Sequence, residues 1–263
     1  MPTTRQPAVA GSFYPASKTE LDLLVSDLMQ HVDIDAASYT PKAIIAPHAG
    51  YIYSGGVAAT AYSTIARLNF TRVLLLGPTH RVPFYGLALS RASHFTTPLG
   101  TVPVDTVTVN KLCSNPGIDF NDAAHMHEHS LETQLPFLQK IARHDFTIIP
   151  ILVSDNDYVS TASALSEIID DENTITVVSS DLSHFHTYDD ATELDSRTND
   201  KITNLTEAPI CGKEACGCHP INIILEAARQ RGWRVSRLEQ KNSGDTFGSH
   251  DSVVGYGAYC FEE

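Results

Sequence analysis

Four short apolar runs, separated by stretches with helical periodicity, constrain the fold of this chain more than any other feature of its sequence. Continuous apolar runs of this length are typical of strands that other elements cover on both faces. In the stretches between them, apolar residues recur on one helical face, as in residues 17–32, where Ser17 and Glu20 also have the spacing of a capping box. The alternation predicts an α/β layered domain in which helices flank a central parallel or mixed sheet. The four runs are residues 43–46, 73–76, 147–153 and 175–178.

Further helices and a last strand complete the expected pattern. Residues 131–142 and 162–169 have apolar residues at helical spacing, and Pro220 opens another helix that Gly232 ends. Residues 252–261 are β-like and contain glycines, so we expect an edge or closing strand there.

Charge and cysteine content exclude several classes of protein. The chain has 18 Lys and Arg against 31 Asp and Glu, and the resulting net charge of −13 repels nucleic acid and anionic membrane surfaces. No linker or repeat divides the sequence, which predicts a single domain over residues 1–263. No apolar stretch suits a membrane span or a signal peptide, and the five cysteines do not resemble a disulfide framework. We therefore expect a cytoplasmic protein with reduced thiols, and neither nucleic acid nor membrane as a partner.

Polar side chains come shortly after three of the four apolar runs. His48 follows the first run, His80 the second, and Asp181 with His184 the fourth. In open α/β sheets, ligands bind outside the carboxyl ends of the strands. If these three strands are neighbours, the side chains meet at one edge of the sheet, and imidazole is the commonest metal ligand. The sequence thus predicts a metal or catalytic site at this edge, against the alternative of ordinary strand-exit turns.

A second cluster of histidines contains His125, His127 and His129. In an extended segment all three share one face, as in a three-histidine zinc site, and on a helix His125 and His129 align. We favour a loop that leads into the following helix. In that arrangement His129 and Glu132 point inward, while His125 and His127 are exposed to solvent.

Cysteines are concentrated directly before the helix that Pro220 opens. A thiol near a helix N-terminus is favoured as the thiolate, which is the form that binds metal. Two other interpretations stay open, a local zinc knuckle and buried, inert thiols. The knuckle would use Cys211, Cys216, Cys218 and His219. No phosphate-binding glycine loop and no G-x-S-x-G nucleophile elbow is present in the sequence.

A set of motifs in a fixed order carries a resemblance to a known family. The most specific motif is residues 46–55, which read Ala-Pro-His-Ala-Gly-Tyr-Ile-Tyr-Ser-Gly. Further motifs lie at residues 9–14, 76–80, 128–132, 146–150, 178–184, 216–221 and 251–256. Together they cover nearly the whole chain and resemble the Memo family, which is also called AmmeMemoRadiSam system protein B in bacteria and archaea.

The resemblance implies a fold similar to that of class III extradiol ring-cleaving dioxygenases, in which two histidines and a glutamate hold non-haem Fe(II). In Memo proteins a cysteine stands in the place of the glutamate, so the implied metal ligands are His48, His80 and Cys216. Fe(II) is the first choice of metal, and the softer thiolate also makes Cu and Zn candidates. Cys218 stands where the family often has a basic residue, and it is an alternative ligand.

The resemblance also implies roles for other residues around the metal. His184 corresponds to the acid–base histidine of the dioxygenases, and Asp181 and His129 are expected to share its pocket as catalytic groups. The residues expected to line the substrate pocket are Phe13, Tyr53 and Glu132.

Two functions of different classes are consistent with such a site. The first is a metal-dependent, dioxygenase-like oxidoreductase that acts on a small molecule. The second is a non-catalytic, metal-stabilised binding or scaffold protein whose pocket holds a peptide or a partner. A zinc hydrolase is a third interpretation. The family name indicates association with a radical-SAM protein and an AMMECR-type protein.

Overall fold

A mixed sheet of nine strands forms the centre of the molecule, as a computed structural model of residues 3–263 shows. A smaller sheet of three strands, in the order β1-β5-β6, lies beside it. The strands are β1 (Thr4–Arg5), β2 (Pro41–Ala46), β3 (Arg72–Pro78), β4 (Leu87–Leu89), β5 (His94–Thr97), β6 (Gly100–Pro103), β7 (Ile118–Phe120), β8 (Thr147–Val153), β9 (Thr174–Ser179), β10 (His184–His186), β11 (Arg234–Asn242) and β12 (Val253–Glu262).

Helices flank the large sheet, as the alternating sequence pattern predicts. They are α1 (Lys18–Gln30), α2 (Tyr51–Ile65), α3 (Thr106–Leu112), α4 (Asp122–Met126), α5 (Leu135–Ile141), α6 (Tyr158–Ala164), α7 (Ser166–Ile169), α8 (Tyr188–Thr203) and α9 (Cys218–Arg231). Helix α2 packs on β2 and β12, with α1 and α5 against it, and α9 packs on β3 and β9 with α6 against it. None of the helices within residues 3–263 is both long enough and apolar enough to cross a membrane.

The four apolar runs form four adjacent strands at the centre of the large sheet. The strand order is β10-β12-β2-β9-β3-β8-β4-β7, with β11 also paired to β12. Strands β2, β9, β3 and β8 are parallel to one another, whereas β12 and β4 join them antiparallel. Nearly every residue of these central strands is buried, because helices and loops cover both faces. The predicted α/β fold with a mixed sheet is thus confirmed.

Local signals at the helix ends agree with the structure, with shifts of a few residues. Ser17 is the N-cap of α1, and its hydroxyl accepts the backbone N–H of Glu20. Helix α9 starts at Cys218, two residues before Pro220, and Gly232 ends it in the left-handed conformation with φ of 67°. The predicted helix over 162–169 is broken at Leu165 into α6 and α7, and the one over 131–142 begins as a 3-10 turn before α5.

The last strand, β12, lies inside the sheet, so of the two positions expected for residues 252–261, an edge or a closing strand, the edge position is wrong. It pairs with β2 on one side and with β11 and β10 on the other. Its glycines serve close packing: a Cβ on Gly255 would lie 1.8 Å from a carboxylate oxygen of Asp195 on α8. Asp195 in turn accepts the backbone N–H of Ser183 at 3.0 Å, which fixes the loop after β9. Strand β12 therefore supports the segment that carries Asp181 and His184.

Candidate metal centre

The carboxyl ends of three neighbouring strands bring His48, His80 and Asp181 together. Strand β9 lies between β2 and β3 and is parallel to both, so the loops after all three strands leave the sheet at the same edge. The three strands are therefore neighbours, which is the condition for the predicted convergence of their side chains. The edge is also where ligands bind in open α/β sheets.

The imidazole of His48 is buried and its orientation is fixed by Ser179. Its Nδ1 lies 2.8 Å from the Ser179 hydroxyl, and that hydroxyl donates its only proton to the Ser130 carbonyl at 2.6 Å. Ser179 must therefore accept the Nδ1–H of His48, which leaves the lone pair on Nε2. That lone pair faces the Sγ of Cys216 at 3.3 Å. Burial, with the nearby charges of His80 and other histidines, holds the pKa of His48 well below its ordinary value, so the ring is neutral.

The imidazole of His80 is held by a buried carboxylate that sequence reasoning did not assign a role. Glu128 accepts the ring Nδ1 of His80 at 2.9 Å and its backbone N–H at 2.6 Å. It also accepts the backbone N–H groups of His129 and Ser130. Burial alone would raise the pKa of Glu128, but the hydrogen bonds from His80 and from Ser130 lower it to about 2. A histidine whose other nitrogen donates to a carboxylate is typical of metal ligands.

Cys216 supplies the thiol that faces the two imidazoles. It comes two residues before α9, and the following Gly217 lets this turn approach β9 closely, because a Cβ there would lie 2.5 Å from the Cβ of Ser180. Burial and the Asp181 carboxylate raise the pKa of the Cys216 thiol well above its ordinary value. A directly bound cation keeps such a buried thiol deprotonated.

The donor atoms of His48, His80 and Cys216 lie within 4.8 Å of one another. Two imidazoles and one thiol form a donor set that suits zinc, copper or iron. The residues present thus fit a metal ion of this kind. Among residues 3–263, Cys218 is in no such group of donors: its side chain is buried in the first turn of α9. The zinc knuckle of Cys211, Cys216, Cys218 and His219 is likewise not formed as a group of close donors among the described residues.

Asp181 and His184 lie directly beside this group. Their donor atoms and the Sγ of Cys216 are also within 4.8 Å of one another. One oxygen of Asp181 accepts the backbone N–H of His48 at 2.8 Å, so the carboxylate fixes the turn on which His48 sits. His184 donates its Nδ1–H to the Leu182 carbonyl at 2.9 Å, which leaves its Nε2 free to accept a proton.

His129 lies against both predicted histidine ligands. Its ring stacks on His80 at 4.7 Å between centroids and contacts His48 and Phe13 edge-on. Burial, together with the positive charges of His80 and Arg81, lowers the pKa of His129 to about 4, so it is neutral at physiological pH. Its Nδ1 is buried and lies 3.3 Å from an oxygen of Glu128, but among residues 3–263 it makes no hydrogen bond of good geometry. The structure therefore brings His129 to the site as a neutral ring.

A cavity of about 580 Å³ opens over the site. Phe13 and Tyr53, which were expected in the substrate pocket, line this cavity, and so do both imidazoles, His129, Asp181 and His184. Glu132, which was expected in the pocket, is not among the lining residues. Its carboxylate is fully buried and accepts hydrogen bonds from the Arg5 guanidinium, the Tyr14 hydroxyl and the backbone N–H groups of Ala8 and Val9.

The histidine cluster before α5 differs from the prediction at one position. His127 is exposed, as expected, but His125 is buried, with 2% of its surface accessible, and its Nε2 contacts the Ala88 carbonyl at 2.9 Å. The prediction failed because His125 is on a short helix, α4, which packs against β4 instead of forming a solvent-facing loop. His125 therefore belongs to the packing of the small helix and not to the metal centre.

Fold and site together define an α/β protein with the class III extradiol dioxygenase fold and a group of histidine and cysteine donors at the strand ends that could hold a metal ion. The profile of the family described as "Memo-like protein" matches residues 5–260. The chain belongs to this family. It is 36% identical to a "MEMO1 family protein" of Aquifex aeolicus over 96% of this chain and 97% of that protein. It is also 34% identical to a "MEMO1 family protein" of Methanosarcina acetivorans, over 98% and 99% of the two chains, and 32% identical to one of Methanopyrus kandleri, over 98% of each.

The Glu128 carboxylate orients His80, so its removal should weaken metal binding without removing a ligand. We expect Glu128→Gln to raise the dissociation constant for Zn²⁺ by about 10- to 100-fold, as for other carboxylates behind metal-binding histidines. Competition with a chromophoric chelator measures this constant. Glu167→Gln is the control, because Glu167 is exposed and pairs with Lys111 far from the site. Equal affinity of Glu128→Gln and the parent protein would contradict this role of Glu128.

The buried His125 should make the fold sensitive to acid. Burial lowers the pKa of His125 from 6.5 to about 4 in the folded protein. Between those values the unfolded chain binds the proton and the folded chain does not, so the free energy of unfolding falls as pH decreases from 6.5 towards 4. The predicted contribution is about 2 kcal/mol between pH 7.5 and pH 5.

Urea unfolding of the metal-free protein at these two pH values measures the effect. We expect His125→Gln to reduce the difference between the two pH values by about that amount, whereas the exposed His144→Gln leaves it unchanged. The same pH difference in His125→Gln and in the parent protein would show that His125 is not the group responsible.

Proposed function

We propose that the chain binds one metal ion through His48, His80 and Cys216 and acts as a non-haem, metal-dependent oxidoreductase on a small molecule, in the manner of a dioxygenase. Fe(II) is the first choice of metal, and Cu or Zn are the alternatives. The observation that carries the proposal is the convergence of three donor atoms within 4.8 Å, under a cavity of about 580 Å³. A cavity of this volume suits a small organic ligand.

The choice of metal follows from the donor set. Two histidines and one anionic ligand on one face are the arrangement that non-haem Fe(II) oxygenases use, with open positions on the other side. A thiolate is a softer ligand than a carboxylate, so a site with a thiolate favours Cu(I) and Zn²⁺ more than the same site with a carboxylate would. When bound, Fe or Cu would supply one-electron chemistry, whereas Zn²⁺ would supply only Lewis acidity.

The surrounding side chains supply proton handling and orientation. The free Nε2 of His184 is positioned to accept a proton from a substrate hydroxyl in the cavity, and we assign it the role of general base. Asp181 holds the backbone of His48 and faces Cys216, so it orients the ligands. The neutral ring of His129 lines the cavity and is the second group that can exchange a proton with substrate.

The identity of the thiol ligand is tested by metal content. We expect protein purified without oxygen to contain close to one metal ion per chain, and Cys216→Ser to lose most of it, because one of three ligands is replaced. Cys218→Ser is the matched control and should keep its metal, since Cys218 is buried away from the donor group. Elemental analysis of the three proteins gives the answer. Full metal in Cys216→Ser would exclude the proposed thiolate ligand.

The catalytic proposal is tested by oxygen uptake. We expect protein loaded anaerobically with Fe(II) to consume O₂ when a catechol is added, and His184→Ala to lose at least about 100-fold in rate while keeping its iron. An oxygen electrode measures the rate, and elemental analysis of the same samples measures the iron. Equal uptake by the parent protein and His184→Ala would contradict the role of His184. Turnover of an ester probe with zinc alone and without oxygen would favour a hydrolase instead.

A second candidate function, a metal-stabilised binding or scaffold protein, draws support from the mouth of the cavity. Ile52, Tyr53, Phe185 and Phe247 are exposed, and each is a cavity-lining residue or the neighbour of one in sequence. Phe185 has a positive φ of 61°, which costs a non-glycine residue about 1–3 kcal/mol and is common at functional sites. Exposed apolar side chains around an opening are typical of surfaces that bind another molecule.

For this second function, the proposed occupants are a peptide or a partner protein, and the proposed partners are a radical-SAM protein and an AMMECR-type protein in the cytoplasm. Affinity for such a partner that is unchanged in a metal-free His48→Ala variant, with no oxygen uptake by the parent protein, would favour the scaffold over the enzyme.

A further inference from the structure

Arg81 is the one arginine or lysine among the residues that line the cavity over the metal centre. We infer that the ligand of this cavity is an aromatic compound with a single carboxylate, and that the guanidinium of Arg81 binds the carboxylate. The inference rests on the proposed function in one respect, because it takes this cavity as the place where substrate binds.

The backbone at Arg81 is anchored by its neighbour, and the side chain is exposed. The backbone N–H and the ring of His80 are both held by Glu128, so the residue that follows His80 is anchored to the metal centre. Arg81 lines the cavity together with His80 and His129. A carboxylate bound at Arg81 would therefore lie close to the imidazoles.

The guanidinium of Arg81 is free to bind a ligand. In the described part of the chain it makes neither an ion pair nor a hydrogen bond, whereas the site's carboxylates Glu128 and Asp181 are already engaged with backbone N–H groups and histidines. The guanidinium presents several N–H donors in a planar fork that matches a carboxylate. The chain as a whole has a net charge of −13, so within the cavity Arg81 is the one Arg or Lys side chain that attracts an anion.

The charge of the ligand is limited by Asp181. This buried carboxylate lines the same cavity, and only one guanidinium is available to oppose it. In the metal-free protein, a dianion such as a phosphate ester would face that carboxylate with a single guanidinium, whereas a carboxylate ligand brings one negative charge that Arg81 alone can balance. The charged group of the ligand is therefore a single carboxylate.

The other walls of the cavity match the aromatic ring of the ligand. Phe13, Tyr53, Val254 and Tyr256 give the cavity an aromatic and apolar surface. Such walls favour flat, apolar groups, and aromatic pairs add to the gain from burial. The volume of about 580 Å³ accommodates one small aromatic acid.

Benzoate and benzyl alcohol are matched probes, because both present a phenyl ring and only benzoate carries a charge. Their dissociation constants are measured by NMR titration, in zinc-loaded and in metal-free protein. We expect benzoate to bind more tightly than benzyl alcohol by at least about tenfold in both forms, as a charge-assisted pair provides. Arg81→Gln should abolish this preference, and Arg81→Lys should keep part of it because the charge remains and the fork is lost.

Arg197→Gln is the control for loss of charge, since Arg197 lies on the exposed face of α8 and pairs with Glu193. The inference is overturned if neither probe binds, if the preference for benzoate survives in Arg81→Gln, or if it exists only in the zinc-loaded form, where the metal would be the anion site. Tighter binding of phenyl phosphate than of benzoate to the metal-free protein would contradict a singly charged ligand. If the preference for benzoate depends on Arg81 but the protein fails to retain metal, the anion site is upheld and the proposed oxidoreductase is rejected.

Discussion

Two buried carboxylates hold together the segments that make the metal centre. Glu128 accepts N–H groups from the end of β3, at His80, and from its own loop. Glu132, four residues further on, accepts Arg5, Tyr14 and two backbone N–H groups of the N-terminal segment that leads to Phe13. A buried carboxylate is costly unless hydrogen bonds satisfy it, so each of these side chains admits only one arrangement of its surroundings. The loop between α4 and α5 thus fixes both the orientation of His80 and the wall of the cavity.

The positions of His48, His80 and Asp181 could be predicted because parallel strands impose them. Continuous apolar runs identify central strands, and whatever follows such strands lies at one edge of the sheet. The other contributions to the site come from contacts between distant segments. Nothing in the spacing of 48 residues between His80 and Glu128 indicates their hydrogen bond, and the pocket position of Glu132 was wrongly expected because its partners lie near the chain start. His125 was placed in solvent because the short helix α4 has too few residues for a clear periodicity.

The two cysteines near the start of α9 also could not be distinguished by local sequence, because contacts with distant segments separate them. From the residues alone, Cys216 and Cys218 are equivalent thiols before a helix, and the resemblance to the Memo family was needed to prefer the first. The structure separates them by packing: Gly217 permits the close approach to Ser180 that turns Cys216 toward His48, while Cys218 is buried in the first turn of α9. One glycine between two cysteines therefore decides which sulfur faces the imidazoles.

One sulfur and two imidazoles are proposed to form the metal-binding site. X-ray absorption at the zinc K-edge of the zinc-loaded protein tests it most directly, because sulfur and nitrogen scatterers differ in distance and amplitude. We expect one sulfur scatterer at about 2.3 Å and two imidazole nitrogens at about 2.0–2.1 Å. A first shell of nitrogen and oxygen alone, or one with two sulfur atoms, would contradict it.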